Sequence, residues 1–91
     1  MRELIDAFLQ NAPQLMGELA GDEAEEVRRA SHTLKSNART FGATDLADLC
    51  QRLEERARTG ELDGAGELAR QIESKYEHAA AALEAVRAAA T

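Results

Sequence analysis

The stretch Val27-Arg28-Arg29-Ala30-Ser31-His32-Thr33-Leu34-Lys35-Ser36-Asn37-Ala38-Arg39-Thr40-Phe41-Gly42 decides the fold. Val27, Ala30, Ser31, Leu34, Ala38 and Phe41 recur at steps of three and four, which is the spacing of one helical face. Gly42 then supplies a residue suited to the left-handed conformation that ends a helix. Upstream, Asp22 is a candidate N-cap, and Glu25 three residues later completes a capping box. Further upstream, Leu4, Ile5, Phe8, Leu9, Ala12, Leu15, Met16 and Leu19 mark another amphipathic helix. Pro13 lies inside it, and its missing N–H predicts a kink or a split.

Downstream, Thr44 can cap a third helix with Leu46, Leu49, Cys50, Leu53 and Ala57 on one face, ending before Thr59-Gly60. A fourth, capped near Asp63, carries Ala65, Leu68, Ile72, Tyr76, Ala79, Leu83 and Val86 and is long enough to protrude and to reach the C-terminus. No window alternates as a strand does. The short connections force neighbouring helices to run antiparallel, so the expected fold is all-α, an up-down four-helix bundle formed by residues 1–91 as one domain. An extended helical hairpin that dimerises is the alternative.

Composition narrows the function. Ninety-one residues with 17 acidic and 11 basic side chains give a net charge of −6, a surface that repels nucleic acid and anionic lipid. The chain is too short for a multi-domain enzyme. A lone cysteine, Cys50, makes no intrachain disulfide and falls in the apolar stripe of helix three. The opening Met1-Arg2-Glu3-Leu4-Ile5-Asp6 interrupts any signal-peptide pattern, and no apolar run is long enough for a membrane span. A cytoplasmic monomer is expected.

The charge is unevenly distributed. Between Val27 and Thr44 there is no carboxylate, while Arg28, Arg29, Lys35 and Arg39 all fall there. The rest of the chain holds 17 acidic against 7 basic residues, a balance of −10. On a helical wheel of about 100° per residue with Val27 at zero, His32 falls at about 140°. Arg28, Lys35, Ser36 and Arg39 lie between about 80° and 180° on that wheel, around His32 on the solvent face. Such a setting suits a phosphoryl group: surrounding cations favour the neutral, nucleophilic imidazole and neutralise phosphate oxygens. Ser36 is small and leaves the ring accessible. A solvated basic helix face with an incidental histidine fits the charge pattern alone equally well.

The residues Ala30-Ser31-His32-Thr33-Leu34-Lys35-Ser36 with the later Gly42 resemble the signature of histidine phosphotransfer (HPt) domains, a His-x-Leu-Lys-Gly motif followed by a second glycine. The segment Leu46-Ala47-Asp48-Leu49-Cys50-Gln51-Arg52-Leu53-Glu54 is similar to the family's third helix, and Leu4 to Leu9 with Pro13 to its opening. The resemblance covers the whole chain. It implies a four-helix bundle in which His32 accepts phosphate, Lys35 is the cation beside the phosphoryl group and Gly42 ends the helix. Arg28, Lys35 and Arg39 would form a basic rim for partner docking. It further implies response-regulator receiver domains and a sensor histidine kinase, often hybrid, as partners, with Mg²⁺ carried by the receiver. Two departures stand out: Ser36 replaces the usual glycine, and the segment from Pro13 to His32 is about one helical turn shorter than the family's, which predicts a truncated first hairpin.

Other features carry less. His78 reads as a boundary or surface residue beside Ala79, and the acidic clusters Asp22 to Glu26 and Glu54-Glu55 as solvated faces. No His-x-x-x-His or Cys-x-x-Cys spacing suggests a zinc site. Gly60, Gly64 and Gly66 form no phosphate-binding loop, so the expected role is a phosphocarrier that binds no ATP and needs no cofactor of its own. A helical adaptor without phosphoryl chemistry, and a phosphotransfer domain cut from a larger kinase, are the competing readings.

Overall fold

The computed structural model describes residues 2–89. Four helices follow in order: α1 (Arg2–Leu19), α2 (Ala24–Thr40), α3 (Thr44–Arg58) and α4 (Ala65–Ala89). There is no strand among the described residues. Each helix packs on its chain neighbours, and α4 closes the ring against α1, with no diagonal pair in contact among the described residues. Cross-links fix the directions. Asp6 near the start of α1 meets Arg87 near the end of α4, and His32 and Lys35 of α2 meet Glu54 and Gln51 of α3, so each of these pairs is antiparallel. The all-α up-down bundle expected from periodicity is the observed fold.

The core is aliphatic and small. Val27, Leu34, Ala38, Cys50, Leu53 and Ile72 are fully excluded from water, each larger aliphatic contributing about 1.5–3 kcal/mol by burial. At one end Phe8 packs on Phe41 and Tyr76, with ring centroids 5.3 and 5.4 Å away. Past His78, which sits beside the α2–α3 turn, α4 outruns α3 and pairs with the start of α1 through Arg87 and Asp6. Leu4 and Val86, counted from sequence as apolar-face residues, are both about half exposed on this extension. The expectation that α4 reaches the C-terminus concerns residues outside those described.

Several local expectations need correction. Pro13 does not split α1, which continues through it. Pro13 is exposed, so its ring sits on the solvent side of α1, and the remaining hydrogen bonds and the buried face carry the helix through it. The N-cap of α2 is Glu23, not Asp22, and no side chain caps it; Glu25 instead holds Arg28, while acidic residues in the first turn complement the helix dipole. Ala43 occupies the N-cap position of α3, and Thr44 is already helical, its hydroxyl donating to the Gly42 carbonyl. Asp63 does not cap α4; its carbonyl accepts from Arg56, and the helix starts at Ala65.

The turn between α2 and α3 sets the register of the seam that matters below. Gly42 adopts φ 72°. The Gly42 N–H reaches the Arg39 carbonyl and the Ala43 N–H reaches that of Ala38, at 3.1 and 2.8 Å. These are the two hydrogen bonds of a Schellman motif. With the chain reversed here, His32 and Glu54 each stand eleven residues from Ala43, and Lys35 and Gln51 each eight.

Candidate functional site: a histidine over a buried lysine–glutamate pair

His32 projects from the middle of α2 with 58% of its side chain exposed. Its Nδ1 lies 3.0 Å from Oε2 of Glu54 on α3. The other oxygen of that carboxylate, Oε1, accepts from Lys35 Nζ at 2.6 Å. Lys35 also donates to Gln51 Oε1 at 2.8 Å, and Gln51 in turn donates through Nε2 to Glu55 at 2.8 Å. Lys35 and Glu54 keep only 10% and 14% of their side chains in water. Burial pushes the Glu54 carboxyl upward, but the hydrogen bonds from Lys35 and His32 outweigh it and hold the group below the ordinary carboxylate range.

An ionised carboxylate only accepts hydrogen bonds, so Nδ1 carries the ring proton. In the neutral ring the lone pair then belongs to Nε2, on the far side. The arrangement can present an unprotonated imidazole nitrogen to an incoming electrophile, and it can stabilise the positive charge that the ring gains on attack.

The basic residues read from the helix wheel are distributed differently from expectation. Lys35, placed on the solvent face, is buried against α3. Arg28 is one turn from His32 but its guanidinium is held by Glu25 in two hydrogen bonds of 3.1 and 2.7 Å. Arg39 is exposed two turns on, and Ser36 one turn on. The charge nearest the ring is the Glu54 carboxylate, not the cations placed around it by the wheel. Periodicity within a single helix does not show Glu54 or Gln51, and places Glu54 on a solvated face. Reflection about the Gly42–Ala43 turn would have found both, since it sets Glu54 opposite His32 and Gln51 opposite Lys35.

The remaining candidates fall elsewhere. Cys50 is fully buried, and burial pushes its thiol up to about 12, so it is a core residue. His78 is exposed on α4 beside Gly42 and Thr44. Among the described residues no three His, Cys, Asp or Glu side chains gather as a metal site, and no helix is long and apolar enough to cross a membrane.

Comparison with known proteins agrees with this fold. The family model described as the Hpt domain matches residues 3–89. Among solved structures, the crystal structure of histidine-containing phosphotransfer protein B (HptB) from Pseudomonas aeruginosa PAO1 is similar, with a TM-score of 0.87 and 29% identity over 94% of this chain and 78% of that one. No curated protein matches in sequence. With a family model spanning nearly every residue and an exposed histidine on the flank of a bundle of the same shape, the chain belongs to the Hpt domain family.

Proposed function

We propose that this chain is a phosphocarrier of a two-component phosphorelay in which His32 takes a phosphoryl group from a receiver-domain aspartate, or from a kinase, and gives it to another receiver aspartate. The observation that carries this reading is the 3.0 Å contact between His32 Nδ1 and Glu54 on a ring that is more than half exposed, which occupies Nδ1 and leaves Nε2 as the nitrogen for an incoming phosphoryl group. In the transfer, the Nε2 lone pair attacks phosphorus, the O–P bond of the acyl phosphate breaks, and the aspartate leaves as a carboxylate. The ring keeps its Nδ1 proton on Glu54 throughout. Phosphohistidine is thus formed without a proton having to leave, and the step reverses onto the next aspartate.

Mg²⁺ belongs to the partner receiver in this scheme, and the nucleotide to the kinase. The chain contributes the nucleophile and a small exposed surface on which a receiver can settle. Ser36 is compact enough to let it approach. Arg39, with Arg28 at the edge, supplies positive charge that steers an acidic partner. A cytoplasmic location and a monomeric state accompany the reading.

His32→Gln tests it. The variant should take no label from a phosphorylated receiver while keeping the helical circular dichroism of the parent, and the parent's label should be acid-labile and base-stable. Labelling of the variant at the parent's rate would sink the assignment. Arg39→Glu should weaken receiver binding and flatten its salt dependence; unchanged affinity across salt concentrations counts against the basic rim.

A further inference from the structure

A phosphoryl group on Nε2 brings about 1.5–2 negative charges to a ring whose nearest charge is already the Glu54 carboxylate. The counter-charge has to come from the exposed surface of α2, and the arginines there are not equivalent. Arg28 is one turn before His32, but Glu25 holds its guanidinium in two hydrogen bonds. Arg39 lies two turns after the ring, about 10 Å along the helix axis. Arg29 is one turn before His32 and exposed. It borders the groove between α1 and α2 with Glu18, Glu26 and Thr33. Among the described residues its guanidinium makes no hydrogen bond or ion pair, with either of those carboxylates or with any other group.

Direction singles out the same residue. On the wheel used above, the α3 side of α2 is at about 40–80°, where Ser31 and Lys35 fall, and His32 is at about 140°. Arg29 follows at about 200°, with Thr33 and Ala30 beyond it at about 240° and 300° towards α1. The 3.0 Å contact with Glu54 turns Nδ1 to α3. Nε2, across the ring, is therefore turned to the flank that carries Arg29. Helical side chains also lean over the turn that precedes their own Cα, which sets the ring of His32 over the turn holding Arg28 and Arg29. Residues three apart on a helix have Cβ atoms about 5–6 Å from each other, a gap that an arginine side chain spans.

Resting on the reading of His32 as acceptor, we infer that Arg29 is a catalytic residue of the transfer: its guanidinium donates hydrogen bonds to the phosphoryl oxygens as the group arrives on Nε2. A planar fork of N–H donors suits two oxygens of one phosphate. Arg29 has no partner to give up before it binds, whereas Arg28 would first have to release Glu25. In the step itself the Nε2–P bond forms and the bond from phosphorus to the donor breaks, its electron pair leaving with the donor; Arg29 transfers no proton and neutralises charge only.

The test uses the full chain with phosphoramidate as donor, which removes receiver docking from the measurement. Its nitrogen departs as ammonia with the P–N bond pair while Nε2 attacks phosphorus. Arg29→Gln should slow labelling about tenfold, the loss expected for one charge-assisted hydrogen bond. Arg70→Gln removes the same charge from the exposed side of α4 and should leave the rate within about twofold of the parent. An unslowed Arg29→Gln, or equal slowing by Arg70→Gln, would overturn the inference.

The acidity of the bound phosphate gives a second readout, which a merely structural role of Arg29 would not move. Followed by ³¹P NMR, the phosphohistidine of Arg29→Gln should titrate at higher pH than the parent's, because a cation hydrogen-bonded to the dianion favours the dianion. Superimposable titration curves would show that Arg29 does not touch the phosphoryl group. Full labelling of His32→Gln would instead defeat the underlying assignment, so the two failures are distinguishable.

Discussion

The α2–α3 seam and the α3–α4 seam contain the same three kinds of side chain, and only one of them makes a site. In the first, His32, Lys35 and Glu54 are joined by contacts of 3.0 and 2.6 Å, with lysine and carboxylate nearly excluded from water. In the second, Lys75 stands 3.7 Å from Asp45 with 47% and 81% of their side chains exposed, and His78 lines the same groove. Composition therefore does not separate them. Burial does, because it strengthens the ion pair and fixes its geometry, whereas a hydrated pair at 3.7 Å constrains no neighbour.

The largest expected difference is catalytic. Glu54→Gln should slow phosphoryl acceptance from a phosphorylated receiver by roughly 10- to 100-fold, equivalent to about 1.5–3 kcal/mol for a hydrogen bond to a charged group. Asp45→Asn should leave the rate unchanged. Equal effects from the two substitutions, followed as time courses of label, would erase the distinction between the seams.

Stability should separate them next. Lys35→Met strands a carboxylate that is largely buried and should cost about 1–3 kcal/mol, less than a fully enclosed pair because Glu54 retains some water. Lys75→Met should cost under about 0.5 kcal/mol. Urea unfolding midpoints decide, and similar losses would mean that the α2–α3 pair is no better held than the surface one.

The pH dependence sharpens the same point. The folded carboxyl of Glu54 is held below the ordinary range, burial opposing and the hydrogen bonds from Lys35 and His32 prevailing. A depressed folded value means the stabilisation is present above the unfolded value of about 4.3 and is lost as pH falls through the folded one. The gap in urea midpoint between the parent and Glu54→Gln should be full at pH 7, persist to about pH 5 and shrink only as the pH falls below the unfolded value through the lowered folded one. A gap that is constant over this range would show that Glu54 gains nothing from its partners.

Ser36→Gly, which restores the residue usual in the family, should have the smallest effect. Glycine inside a helix costs about 0.5–1 kcal/mol, and acceptance should stay within about twofold because the serine hydroxyl makes no bond to the network. A tenfold change in rate would give that hydroxyl a part in transfer.

The helices were legible in the sequence because three- and four-residue spacing reports which face is buried. Val27, Leu34, Cys50, Leu53 and Ile72 are in the core as that spacing requires. The caps were less legible: Asp22, Thr44 and Asp63 all have capping chemistry, yet backbone turns closed those ends without them. His32 was legible from its motif and its outward position. Lys35 was misplaced because a wheel describes a helix against a uniform core, whereas α3 reaches round the side of α2 and covers an angle that the wheel assigns to water. Glu54 was invisible for the same reason: the stretch from Val27 to Thr44 has no carboxylate of its own, and its counter-charge comes from the next helix.

The central claim is that Glu54 leaves Nε2 of His32 as the nitrogen that accepts phosphate. Phosphorus–nitrogen correlation on the ¹⁵N-histidine-labelled, phosphorylated full chain tests it directly. The predicted result is a single phosphohistidine with phosphorus on Nε2 of His32 and the proton retained on Nδ1; phosphorus on Nδ1, or on His78, would contradict it.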